Sequence, residues 1–175
     1  GKVNPDILAA LHLAGVKEVY AVGGVQAIAA LAFGTDSIRA VDKVFGPGNA
    51  YVTEAKRQLF GVVGVDLLPG PSEVMIIADR TAKPAWVAAD LCAQAEHGSG
   101  KEKLYLVADS AELVERCLSE ARAQANRLTH GDKIRLALDR MVCAVVVDRL
   151  EDAAEVANLV APEHLELMVA KSKLD

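Results

Sequence analysis

The chain has 175 residues, 52% hydrophobic, 25% charged and only 4% aromatic, with a net charge of −5. That length and apolar share allow a sizeable core in one medium domain or two small lobes, while the acidic balance and scarce aromatics argue against a nucleic-acid surface, which needs basic and stacking side chains.

Asn4 ahead of Pro5, with Gly15 beyond, brackets "NPDILAALHLAGV" as a helix. The segment "EVYAV", Glu18 to Val22, reads as a strand, and "VQAIAALAFG", apolar nearly all round, as a buried helix. "SIRAVDKVFGPGN" is a strand running into a turn, "AYVTEAKRQLFG" a helix stopped by Gly61, and "VGVDLL" is strand-like. At "LPGPSE" two prolines and a glycine break the pattern, which places a lobe boundary near Gly70. The alternation then restarts with strand "EVMIIAD", a helix from Pro84 to His97, strand "KLYLVAD", and the helix "SAELVERCLSEARAQANRL" capped by Ser110. A short helix at "DKIRLALDR", strand "VCAVVVD", helix "LEDAAEVANLV" and strand "HLELMVA" complete it. The fold class is α/β, in two lobes spanning residues 1–70 and 71–175, each a mostly parallel sheet with flanking helices.

Three cysteines without regular spacing, Cys92, Cys117 and Cys143, read as buried thiols in a reducing compartment. No apolar run has the length of a bilayer span and no cleavable leader opens the chain, so a soluble, cytoplasmic protein without a membrane partner is expected. The chain starts within a turn of a helix and stops just after a core strand, as expected of a piece of something larger.

Three stretches carry candidate chemistry. On a helix through "PAWVAADLCAQAEH", Gln94 and His97 are three apart and project from nearly the same face. They make either a metal-ligand pair or a polar C-terminal turn. In "VAPEHLELMVA", Pro162 fixes the backbone before Glu163 and His164, where a helix ends and a strand begins, and strand ends of an α/β sheet are where ligands bind. Adjacent residues on extended backbone point to opposite sides, which predicts separate proton transfers rather than a dyad. The glycine loops of "VGGVQ" and "FGPGNAY" let backbone approach a ligand but match neither the dinucleotide fingerprint nor the P-loop. His12 and His130 carry no such context.

Taken together, "VGGVQAIAALAFGT", "VDKVFGPGNAYVTEAKRQLFG", "VDLLPGPSEVMIIAD", "AADLCAQAEHGSG" and "APEHLEL" resemble the central region of histidinol dehydrogenase, in that family's order. The resemblance implies two incomplete Rossmann-like lobes, residues 1–70 on the NAD side and 71–175 on the zinc and substrate side. It implies a homodimeric enzyme that oxidises L-histidinol through histidinal to L-histidine with NAD and zinc, the last steps of histidine biosynthesis. On the same ground Gln94 and His97 are zinc ligands and substrate contacts, Glu163 activates water, His164 is the base and a substrate contact, Ser72 touches substrate, and Gln26 and Asn49 line the NAD site. The family's other two zinc ligands, an Asp and a His, are expected beyond the last residue, so this chain alone should neither hold zinc tightly nor turn over histidinol. Pro69 and Ala93 depart from the pattern. They leave room for a paralogous NAD-dependent alcohol dehydrogenase acting on another substrate such as a sulfonated diol; a non-catalytic α/β ligand-binding module is the third reading, against which the intact Glu-His pair speaks.

Overall fold

Asn4 turns the chain into its first helix: its Oδ1 accepts the Asp6 N–H at 2.8 Å, and Pro5 takes the position where no N–H is needed. This helix, α1 (Pro5–Leu13), ends through Ala14 into Gly15, whose φ of +74° only glycine adopts freely. The computed structural model describes residues 3–68, 70–97 and 100–174. Pro69, one of the two departures from the family pattern, and Gly98 and Ser99 of the "GSG" run lie outside the described residues. The chain divides into two compact units, Gly1–Gly70 and Pro71–Asp175.

Unit 1 continues with α2 (Gly24–Phe33), β1 (Lys43–Val44), α3 (Ala50–Gln58) and β2 (Gly64–Val65). The two strands pair in parallel, Lys43 opposite Gly64 and Val44 opposite Val65, over a small core of Ile28, Val44, Ala55 and Val63. Two expectations are corrected here. The segment Glu18–Val22 forms no strand: Val19, Tyr20 and Val22 are exposed, and alternation makes a strand only where a neighbouring backbone takes its hydrogen bonds. Helix α2 is not buried all round either. Only Ile28 is fully covered, and Phe33 is 65% exposed, because a sheet of two short strands covers one stripe of a helix and no more.

Unit 2 is a four-stranded parallel sheet in the order β5-β4-β3-β6, from β3 (Glu73–Ala78), β4 (Lys103–Ala108), β5 (Val142–Val146) and β6 (His164–Met168). The runs "VMIIA" and "LYLVA" are apolar without alternation because both faces of the central strands are covered. Helices α4 (Pro84–Ala95), α5 (Ala111–Ala125) and α6 (Gly131–Arg140) pack on one face, around Val74, Ile76, Leu91, Leu104, Leu106 and Ile134. Helix α7 (Leu150–Val160) covers the other, with Ala153 and Ala157 against Met75, Ile77 and Val107. Ser110 caps α5 by accepting the Leu113 N–H. Cys92 and Cys117 are buried as expected; Cys143 is exposed, since it sits on edge strand β5.

Candidate active site

In a parallel sheet each helix runs back against the strand it follows, so helix C-termini return to the edge where strands begin. That rule brings the C-terminal end of α4, with Gln94 in its last turn, to the amino edge of the sheet, where Ser72 precedes β3 and Glu163 precedes β6; the helix stops at Ala95 and not at His97, which lies in the turn beyond the Glu96 C-cap. The register sets Val74 opposite His164. Ser72 Oγ consequently lies 2.8 Å from Glu163 Oε2 and 3.5 Å from Gln94 Oε1, and the Glu73 N–H donates to the same Glu163 oxygen at 3.3 Å. His164 Nε2 is 3.8 Å from Glu163 Oε1, so the two side chains stand together rather than on opposite sides. The reason is local. Glu163 is in a bend, and the strand begins only at His164, so alternation does not extend back to it.

The bend is set by Ala161, which ends α7 in the left-handed region at φ 49°, ψ 59°. For alanine this conformation is costly, and the α7 cap bond from its N–H to the Ala157 carbonyl at 2.8 Å holds it. Pro162 then fixes the direction in which Glu163 and His164 leave.

The amino edge is the opposite of where open α/β sheets usually bind ligands. The usual crevice lies at the carboxyl ends of the strands, and there Asp79, just after β3, is tied to the segment that follows β6. Its carboxylate, 1% exposed, accepts the Thr81 N–H at 2.8 Å and the Ala170 N–H at 2.9 Å, with Lys173 Nζ 3.1 Å away. Burial alone would raise this carboxyl; the Ala170 and Thr81 donors and Lys173 outweigh it and hold the group well below the carboxylate range.

Electrostatics at the amino edge favour an ionised Glu163. The Ser72 hydroxyl lowers its carboxyl first, partly offset by burial, and the Glu73 N–H, His164 and His97 add to the effect. Gln94 is 6% exposed, and its Nε2 has no partner, whereas His97 is exposed. Cys92 faces away, its thiol donating to the Ala121 carbonyl at 3.4 Å.

Two residues of this edge escape a reading by motif. Asp90 lies one turn before Gln94 on α4, and Glu166 lies two residues after His164 on the same face of β6. Burial first, then the Asp90 carboxylate, pushes the Glu166 carboxyl up. Their spacing, four from Gln94 and two from His164, was the available signal.

In unit 1, Gln26 stands in the first turn of α2 and Asn49 is the N-cap of α3, accepting the Tyr51 and Val52 N–H groups at 3.1 Å each. Both are exposed. The loop before Asn49 has a fixed shape: Asp66 accepts the Gly46 N–H at 2.8 Å, and Lys56, 2% exposed, donates to the Gly46 carbonyl at 2.5 Å and to Asp66 at 2.6 Å. Sequence reasoning missed this clamp.

A sequence model of histidinol dehydrogenase matches residues 1–174. The chain belongs to the histidinol dehydrogenase family. It is 50% identical over 173 residues to the histidinol dehydrogenase of Rhodopseudomonas palustris, covering 97% of this chain and 39% of that protein. To the Lactococcus lactis protein of the same name it is 46% identical, over 98% of this chain and 39% of that one. The crystal structure of histidinol dehydrogenase from Elizabethkingia anophelis is similar with a TM-score of 0.91 at 41% identity, over 99% of this chain and 40% of that chain. The chain thus spans about two fifths of the length of these relatives.

Zinc accepts an imidazole nitrogen and an amide oxygen. Gln94 and His97 supply donors of these two kinds at a helix C-terminus whose carbonyls favour a cation; the buried unpartnered atom of Gln94 is the Nε2 donor, so the amide would ligate only with its oxygen turned to that position. Among the described residues no cluster of three His, Cys, Asp or Glu completes it, and no helix is long and apolar enough to cross a membrane.

Proposed function

We propose that this chain carries part of the centre at which an NAD-linked, zinc-dependent dehydrogenase oxidises L-histidinol through histidinal to L-histidine, closing histidine biosynthesis. One observation carries the reading: Ser72, Gln94, Glu163 and His164 meet at one edge of a sheet in a chain that belongs to the histidinol dehydrogenase family.

The chemistry needs a base and then a water activator. A hydride leaves the alcohol carbon for NAD⁺ only as the hydroxyl proton departs, and His164, more than half exposed at 58%, is placed to take that proton. The aldehyde must next add water. Glu163, kept ionised by Ser72 and the Glu73 N–H, accepts the water proton, and the resulting hydrate gives a second hydride to a second NAD⁺. Zinc, which Gln94 and His97 would hold together with further ligands, would supply an electrophilic anchor that orients the substrate. Ser72, Gln94, His97 and His164 bound the substrate on this side, and unit 2 is the zinc and substrate unit. Gln26, in the first turn of α2, and Asn49, the N-cap of α3, support the reading of unit 1 as the NAD unit. Family membership also supports a homodimer, and three free cysteines support a cytoplasmic setting.

The test is a chimera in which this chain replaces the matching segment of the Rhodopseudomonas palustris protein. NADH formation from L-histidinol, lost together with zinc content in His97→Ala, is expected. A folded, zinc-loaded chimera that reduces no NAD⁺ with histidinol would overturn the reading.

A further inference from the structure

Ser72 has one hydroxyl proton and two acceptors around it. Glu163 Oε2 is at 2.8 Å and Gln94 Oε1 at 3.5 Å, so the proton goes to the carboxylate, the nearer and the charged partner. That leaves the Ser72 oxygen facing the Gln94 carbonyl with nothing to donate to it, while Gln94 Nε2, a donor, is buried and unpartnered. The first misfit disappears if the amide turns by half a rotation about its last bond, which exchanges two atoms of nearly equal size without moving any other, and the buried unpartnered atom becomes an acceptor instead of a donor. Nε2–H then donates to the Ser72 oxygen, and Ser72 donates to Glu163. The amide oxygen takes the buried position, where no protein donor competes for its lone pairs.

We propose that Ser72 is a positioning residue: through one oxygen it sets the Gln94 amide with its carbonyl turned outward from Ser72 and holds the Glu163 carboxylate, in the order Gln94 Nε2–H to Ser72 Oγ–H to Glu163 Oε2. Its meaning for catalysis rests on the proposed function, in which Gln94 offers that carbonyl to a metal and Glu163 takes a water proton. The bond order itself does not. A hydroxyl is needed at residue 72 because only a group that accepts and donates at once can join an amide N–H to a carboxylate.

The experiment is NMR on this chain without metal, with the Gln94 side-chain amide assigned by its disappearance in Gln94→Glu. The expected result is cross-peaks between the Gln94 side-chain NH₂ and the Ser72 β protons, with slowed amide exchange. In Ser72→Ala that exchange should accelerate by roughly fivefold to tenfold, the worth of one neutral hydrogen bond, and Ser72→Thr should restore it while the backbone spectrum stays the same. Absent cross-peaks, or an amide whose exchange and shift are unchanged in Ser72→Ala, would overturn the proposal even if the chimera oxidises histidinol. An inactive chimera with the cross-peaks present would overturn only the function.

Discussion

Ser72 Oγ hydrogen-bonds Glu163 Oε2 at 2.8 Å across 91 residues of sequence, joining the approach to β3 with the approach to β6. The bond favours the ionised carboxylate, so Glu163 titrates below its usual value of about 4.3. Its contribution to stability is then present above that value and lost as pH falls through the lowered folded pKa. In Ser72→Ala the Glu163 side-chain carboxyl, followed by carbon NMR, should titrate closer to the unperturbed range. An unchanged midpoint would show that Ser72 does not hold the carboxylate.

Glu166 has the opposite sign. Burial and then Asp90 raise its carboxyl, so the fold prefers the protonated form, and stability falls as pH rises from the unfolded value of about 4.3 towards the raised one. Glu166→Gln should therefore stabilise the chain at pH 7 by on the order of 0.5 kcal/mol, the scale of a like-charge pair between neighbouring elements. Urea midpoints should converge below about pH 4. A variant less stable at pH 7 would contradict this.

The Lys56 clamp predicts a local loss. Lys56→Met strands the Gly46 carbonyl and the Asp66 carboxylate that Lys56 holds below the carboxylate range, and the loop before Asn49 loses its shape. Hydrogen exchange should rise through residues 43–66 while β3 and β4 stay protected, with melting of unit 1 lowered by several degrees. Equal exchange in both proteins would remove the clamp from the account.

Thiol labelling should separate the cysteines. Cys143 is exposed, whereas burial pushes Cys117 up to about 11 and also raises Cys92. Iodoacetamide on the native chain should modify Cys143 first, read by mass spectrometry of peptides. Comparable early labelling of Cys117 would mean that the α4–α5 packing opens readily.

Much of unit 2 could be read before its structure because its signals are strong and local: unbroken apolar runs at β3 and β4, Ser110 ahead of α5, Pro84 at the head of α4. The strands of unit 1 were harder, since "EVYAV" has a strand's pattern but no neighbour to pair with, a non-local condition. At the site, the residue types Ser72, Gln94, His97, Glu163 and His164 stood out. Their geometry did not. Strand alternation does not reach back to Glu163, which is in a bend, and the meeting of Ser72, Gln94 and Glu163 at the amino edge depends on the non-local register of β3 with β6. Asp90, Glu166, Lys56 and Asp66 carry no motif, because an ordinary charged residue is marked only by where it is buried and what faces it.

The most direct test of the central claim is the division of labour between Glu163 and His164, measured in the chimera with L-histidinol and with histidinal as separate substrates. His164→Asn should lose about 10²–10⁴-fold in alcohol oxidation and far less in aldehyde oxidation, and Glu163→Gln should show the reverse. Equal losses on both substrates in both variants would contradict separate roles for these two neighbours.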